Sequence, residues 1–145
     1  MPGIIVGVDG SGHSRRALEW AVSEAATRQV PLTVLTVHRE VAGYLGEPVQ
    51  YLGDADLTEQ ARKEAQKETD DVLDAFAGPQ KPSVTVRAVG GLPADELLAA
   101  AEDADLLVVG ARGAGGFKRL LLGSVSTHVT HHAHCPVVIV PADKA

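Results

Sequence analysis

Asp105-Leu-Leu-Val-Val-Gly110-Ala-Arg-Gly113, followed after nine residues by Gly123-Ser124, is the stretch that decides the fold. An apolar run leads into glycines at 110, 113, 115 and 116, and a helix-like segment, Ser124 to Ala133, comes after. Strand, glycine loop and helix start, in that order, make a phosphate cradle. Glycine allows positive φ and lets a ligand approach the backbone closely. A helix start offers unpaired N–H groups and a positive dipole end to an anion. The plain alternative is an ordinary β–loop–α connection, for which four glycines so close together are costly in entropy.

Working outward, the segments alternate in type. Gly3 to Asp9 is a short β-branched run and reads as a buried strand. Ser11 to Arg28 places Ala17, Leu18, Ala21, Val22 and Ala25 at helical spacing, with Ser11 or Ser14 as N-cap. Pro31 to His38 is a second strand. Residues 39–56, holding Tyr44 and Tyr51, read as a long loop, either a lid or a stretch that contains a short helix. Leu57 to Ala77 is helical, with Leu57, Ala61, Ala65, Val72, Leu73 and Phe76 on one side and an Asp56–Glu59 capping box. Ser83 to Val89 is a third strand, and Pro93 opens a helix with Asp95 and Glu96 in its first turn. Asp105 to Gly110 and Pro136 to Val140 are the last two strands. Five strands alternating with four helices predict a single α/β domain, a parallel sheet with helices on both faces and right-handed crossovers. Ligands in such folds bind at the carboxyl ends of the strands, where strand order reverses. If the first and fourth strands are neighbours, Asp9 faces the glycine loop across one crevice.

Composition narrows the function. The chain has 145 residues, enough for one domain that buries roughly 70% of its unfolded surface. Apolar residues make up 45% and aromatics 3%, so Val, Leu, Ile and Ala build the core. A net charge of −6 without a basic stripe argues against nucleic acid. The single cysteine, Cys135, fits a reducing cytosol and a cytoplasmic location. No apolar run approaches a membrane span, and the first residues read as a buried strand rather than a signal peptide.

These features resemble the universal stress protein family in its ATP-binding branch. That branch carries Gly-x2-Gly-x9-Gly-(Ser/Thr), matched by Gly110, Gly113, Gly123 and Ser124. Gly7-Val-Asp9-Gly-Ser11 with Ala17-Leu18, Gly90-Gly-Leu-Pro93 and Cys135-Pro-Val-Val-Ile-Val140 resemble it too, so the likeness spans nearly the whole chain. It implies a Rossmann-like sheet in order 3-2-1-4-5 and a nucleotide held by Gly7, Val8, Asp9, Val37, Val89, Val109, Gly110, Arg112, Gly113, Gly123, Ser124, Val125 and Ser126. Asp9 would contact the ribose or a Mg²⁺ bound with ATP. Val37 and Val89 would lie near the adenine, and Gly123 to Ser126 would hold phosphates through N–H and hydroxyl groups. It also implies a homodimer paired through the last strand, Val137, Val138, Ile139 and Val140. The regulatory protein partner is unknown.

From the residues themselves, a carboxylate at Asp9 repels a triphosphate unless it accepts from a ribose hydroxyl or acts through Mg²⁺; its other reading is a cap for the first helix. Arg112, Lys118 and Arg119 either balance phosphate charge or line a solvated loop. His128 and His132 share a helix face, as zinc-binding imidazoles do, yet no carboxylate sits among the histidines; a solvated helix end is the other reading. Cys135 reads as a small buried residue, and Trp20 as packing on the first helix. The near-fingerprint Gly10-Ser-Gly12-His-Ser-Arg15 lacks its third glycine, and neither a P-loop nor a Gly-x-Ser-x-Gly elbow exists. No base, arginine finger or nucleophile is placed by motif. The expectation is therefore an ATP-binding regulatory protein, with slow ATP hydrolysis, adenylyl transfer or a nucleotide-free interaction module as alternatives.

Overall fold

The two central strands carry apolar residues on both faces, and that sets the layering. Ile4, Ile5, Val6 and Val8 are buried, as are Leu106, Leu107, Val108 and Val109. Continuous burial of this kind belongs to a parallel sheet covered on both sides. The computed structural model describes residues 2–38, 54–111 and 123–141. Its elements run β1 (Ile4–Val8), α1 (Gly12–Arg28), β2 (Leu32–His38), α2 (Asp54–Ala75), β3 (Val84–Gly90), α3 (Pro93–Ala100), β4 (Leu106–Gly110), α4 (Ser124–His132) and β5 (Val137–Val140). The five strands are all parallel, in order β3-β2-β1-β4-β5, as the alternation and the family likeness predicted.

Each sheet face has its own core. On the α1/α2 face Val6, Val34 and Val108 meet Leu18, Val22 and Val72, with Trp20 packed against the edge. On the α3/α4 face Ile5, Leu35 and Leu107 meet Leu97 and Val129. Leu18 and Leu107 are wholly buried, and each such side chain contributes roughly 1.5–3 kcal/mol. Ser11 caps α1, its hydroxyl accepting the Ser14 N–H, and Gln29 ends it in the left-handed conformation at φ 56°.

The second helix departs from the sequence reading. It begins at Asp54, so the expected loop 39–56 gives way to helix before it ends. Asp56 lies inside the helix, and no capping box forms there; Glu59 instead pairs with Arg62, 2.7 Å away. Leu57 is 54% exposed although the periodicity placed it on the core side. The buried face is set by Ala65, Thr69 and Val72, and the Thr69 hydroxyl donates to the Ala65 carbonyl at 2.7 Å. That back-bond satisfies a polar atom that would be costly to bury alone. Tyr44 and Tyr51 lie outside the described residues.

Candidate functional site

The sheet forks at its carboxyl edge. β1 and β4 pair through Ile4–Leu106, Ile5–Leu107 and Val6–Val108, and the ladder stops there. Beyond it, Gly7 and Val8 continue with Leu35 and Thr36 of β2, while Val109 and Gly110 continue with Ile139 and Val140 of β5. Strand order reverses between these two strands, so the crevice opens where the topology predicts a ligand site. Gly7 sits at its floor against α3: a Cβ there would lie 2.9 Å from a methyl of Leu97.

One wall is the turn after β1. Gly10 takes φ 83°, a conformation that suits glycine, and the chain reverses into α1. The Asp9 carboxylate accepts the Ser11 N–H at 2.9 Å, and the Asp9 N–H donates to the Ser14 hydroxyl at 3.1 Å. That hydroxyl donates in turn to the Ser11 carbonyl at 3.2 Å. Asp9 is exposed and held by its own turn, while Ser11 is the N-cap. Ser14, which the sequence offered only as a cap, locks this turn from beneath. Its signal was a serine three residues after the true cap.

The other wall is built on Ala111. Its N–H donates to the Val140 carbonyl at 2.9 Å, and its carbonyl accepts the Gly123 N–H at 2.7 Å. This second bond joins the two described residues, Ala111 and Gly123, that flank positions 112–122 in the sequence. The Ala111 carbonyl also accepts the Ser126 hydroxyl at 2.9 Å. Ser126 is buried, and its hydroxyl proton goes to this carbonyl. What α4 presents at the crevice is its start: Gly123 is the N-cap, with no side-chain capping bond. The N–H groups of the first turn, at Ser124, Val125 and Ser126, are the groups a helix leaves for an anion.

The structure thus brings Gly7, Val8, Asp9, Val37, Val89, Val109, Gly110 and Gly123 to Ser126 to one edge of the sheet. Val37, Val89, Val109 and Val125 all pack on the α3/α4 face, and Val37 is paired with Val89. Val8 packs its side chain on the opposite face, which leaves its backbone to the crevice. Arg112 and Gly113, with Gly115, Gly116, Lys118 and Arg119, lie outside the described residues. His38, not singled out by the sequence, ends β2 here and shares a 2.5 Å hydrogen bond with Thr58 of α2. Beside the crevice, burial pushes the Glu68 carboxyl above its ordinary value; Arg15 opposes the rise and Asp9, Asp71 and Glu19 add to it. Burial likewise raises the Cys135 thiol, which fits an inert packing residue. A shallow open groove of about 430 Å³, lined by Ala25, Gln29, Pro31, Lys81 and Ser83, lies at the amino edge, away from all of this. Among the described residues no helix is long and apolar enough to cross a membrane.

The sequence and the fold are shared with known proteins. The universal stress protein family model matches residues 2–141. A universal stress protein of Mycobacterium tuberculosis is 37% identical over 145 residues, covering 95% of this chain and 47% of that protein. The chain thus spans about half the length of the mycobacterial relatives it matches. A Thermus aquaticus universal stress protein is 36% identical over 140 residues, covering 94% of this chain and 96% of that one. Among solved structures, UspA from Lactobacillus plantarum superposes with a TM-score of 0.78 at 26% identity, covering 96% of this chain and 97% of that one. A universal stress protein in complex with cAMP superposes with a TM-score of 0.66 at 30% identity, covering 97% and 96%.

Proposed function

The chain belongs to the universal stress protein family, and within it we propose a nucleotide-binding regulatory protein whose ligand is ATP with Mg²⁺. The observation that carries this reading is the fork between β1 and β4, flanked by the side-chain-uncapped start of α4. A triphosphate seats against the N–H groups of Ser124, Val125 and Ser126 and the backbone of Gly110 and Gly113. Arg112 adds charge. Asp9, across the crevice, takes a ribose hydroxyl or holds Mg²⁺. The adenine lies toward Val37 and Val89.

No nucleophile, base or arginine finger is placed by a sequence motif, and regulation through nucleotide-dependent shape is proposed over turnover. The protein acts in the cytoplasm as a homodimer whose copies meet along Val137 to Val140 of β5. An apolar strand at the sheet edge is otherwise a pairing hazard, which supports this interface.

The test is direct. With one Trp and two Tyr, the protein absorbs weakly near 280 nm, so co-purified adenine nucleotide shifts the spectrum toward 260 nm. Titration with Mg·ATP should saturate at one site per chain, with few turnovers over minutes. Absence of both bound nucleotide and titratable binding refutes the proposal. The cAMP-bound relative motivates a second reading, a cyclic monophosphate in the same crevice. Competition between cAMP and ATP decides which is held more tightly.

A further inference from the structure

The histidine-rich end of α4 gains in the fold what it lacks in the sequence. His128 and His132 stand one turn apart with ring centroids 4.6 Å apart and planes tilted by 37°. A zinc–nitrogen bond of about 2.0–2.1 Å puts a ring centroid about 3.2 Å from the ion, so two imidazoles on one tetrahedral ion have centroids roughly 5.2 Å apart. The observed spacing is about 0.6 Å shorter, so the two rings swing slightly apart to take the ion. Across the gap to α3, Asp95 Oδ1 lies 3.8 Å from His128 Nε2. The carboxylate missing from the local sequence is therefore supplied by the neighbouring helix. All three side chains are exposed, so an ion reaches them without rearrangement of the core.

From this arrangement we infer that His128, His132 and Asp95 form a surface site for a divalent transition ion, zinc above all, that bridges α3 and α4. Among the described residues no three ligating side chains converge as they stand. The imidazole pair is accordingly the chelating core, and Asp95 joins it by turning its side chain. Two nitrogens and one carboxylate oxygen suit zinc, with water completing the tetrahedron. His134 is engaged elsewhere, with Glu102 at 3.2 Å, and serves as an internal control. The site is distinct from the nucleotide crevice and does not depend on that reading.

The experiment uses tag-free protein stripped of metal, titrated with Zn²⁺ by calorimetry and followed by thermal melting. One zinc per chain and a higher Tm in its presence are expected. His132→Gln should weaken binding by about 100-fold or more and Asp95→Asn by about 10-fold or more, since even outer partners of metal ligands are worth about 10–100-fold. His131→Gln with His134→Gln should leave affinity within about 2-fold. Circular dichroism of each metal-free variant checks that it is folded. No saturable binding, equal binding by His128→Gln/His132→Gln, or a loss in the His131/His134 variant equal to that of His132→Gln overturns the assignment.

Discussion

Replacing Ser126 with alanine separates the architecture of the crevice from its chemistry. The buried hydroxyl gives its one proton to the Ala111 carbonyl at 2.9 Å, with the Gly123 carbonyl a second acceptor at 3.1 Å. Its removal strands neither oxygen. Ala111 keeps the Gly123 N–H at 2.7 Å, and Gly123 keeps the Thr127 N–H at 3.0 Å. The cost is then that of one net hydrogen bond, about 1 kcal/mol, rather than the larger penalty for an orphaned buried acceptor. In a domain of this size that lowers Tm by about 4 °C. Urea melts should show a lower midpoint with an unchanged slope. The first-turn N–H groups stay in place, so Mg·ATP affinity should change by less than about 3-fold. Unaltered stability with affinity reduced by about 10-fold, a loss of about 1.4 kcal/mol, would refute the reasoning and return the hydroxyl to the ligand.

Three further substitutions test the neighbouring features. Gly123→Val should abolish nucleotide binding while circular dichroism stays native, because a branched Cβ at the N-cap stands in the path of the anion; a folded variant with normal affinity removes α4 from the site. Asp9→Asn keeps an oxygen acceptor for the Ser11 N–H but removes the charge, so stability should hold while Mg²⁺-dependent ATP affinity falls by about 10-fold or more; equal affinity with and without Mg²⁺ in both proteins would mean Asp9 serves only its turn. Glu68→Gln should stabilise the protein at pH 7. The folded pKa is raised, so the folded state holds the proton more tightly than the unfolded state; stability is full below the unfolded value and is lost as pH rises through the folded one. The gain from glutamine should therefore vanish near pH 4, and a gain of equal size at both pH values would show that charge is not its cause.

The layered fold was legible because each strand announces itself by an apolar run and each helix by its stripe; their alternation implies a parallel sheet, while the strand order came with the family resemblance. The start of α2 was not. Leu57 marks a helix by periodicity, but it turns outward, while Thr69 is buried by bonding its own backbone. Local pattern does not reveal which face a neighbour will cover. Asp9, Gly110 and Gly123 lie at the carboxyl edge where the strand order reverses, while Gly113, Gly115 and Gly116 lie outside the described residues. The inward turn of Ser126 was hidden, since it depends on a carbonyl that only the three-dimensional path of Ala111 delivers. The meeting of Asp95 with His128 was equally out of reach, because two helices far apart in sequence create it.

The parting of β1 from β4 two residues before either strand ends has a mechanical meaning. At that edge the sheet is two leaves, β3-β2-β1 and β4-β5, with no rungs between their tips. A guest lodged in the gap grips both leaves and becomes the absent rung, so its affinity is also mechanical cohesion across the domain. Amide hydrogen exchange at Gly7, Val8, Val109 and Gly110 should then slow together when the gap is filled, and occupancy would be felt at the outer strand β5 as a change in stiffness before any change in shape.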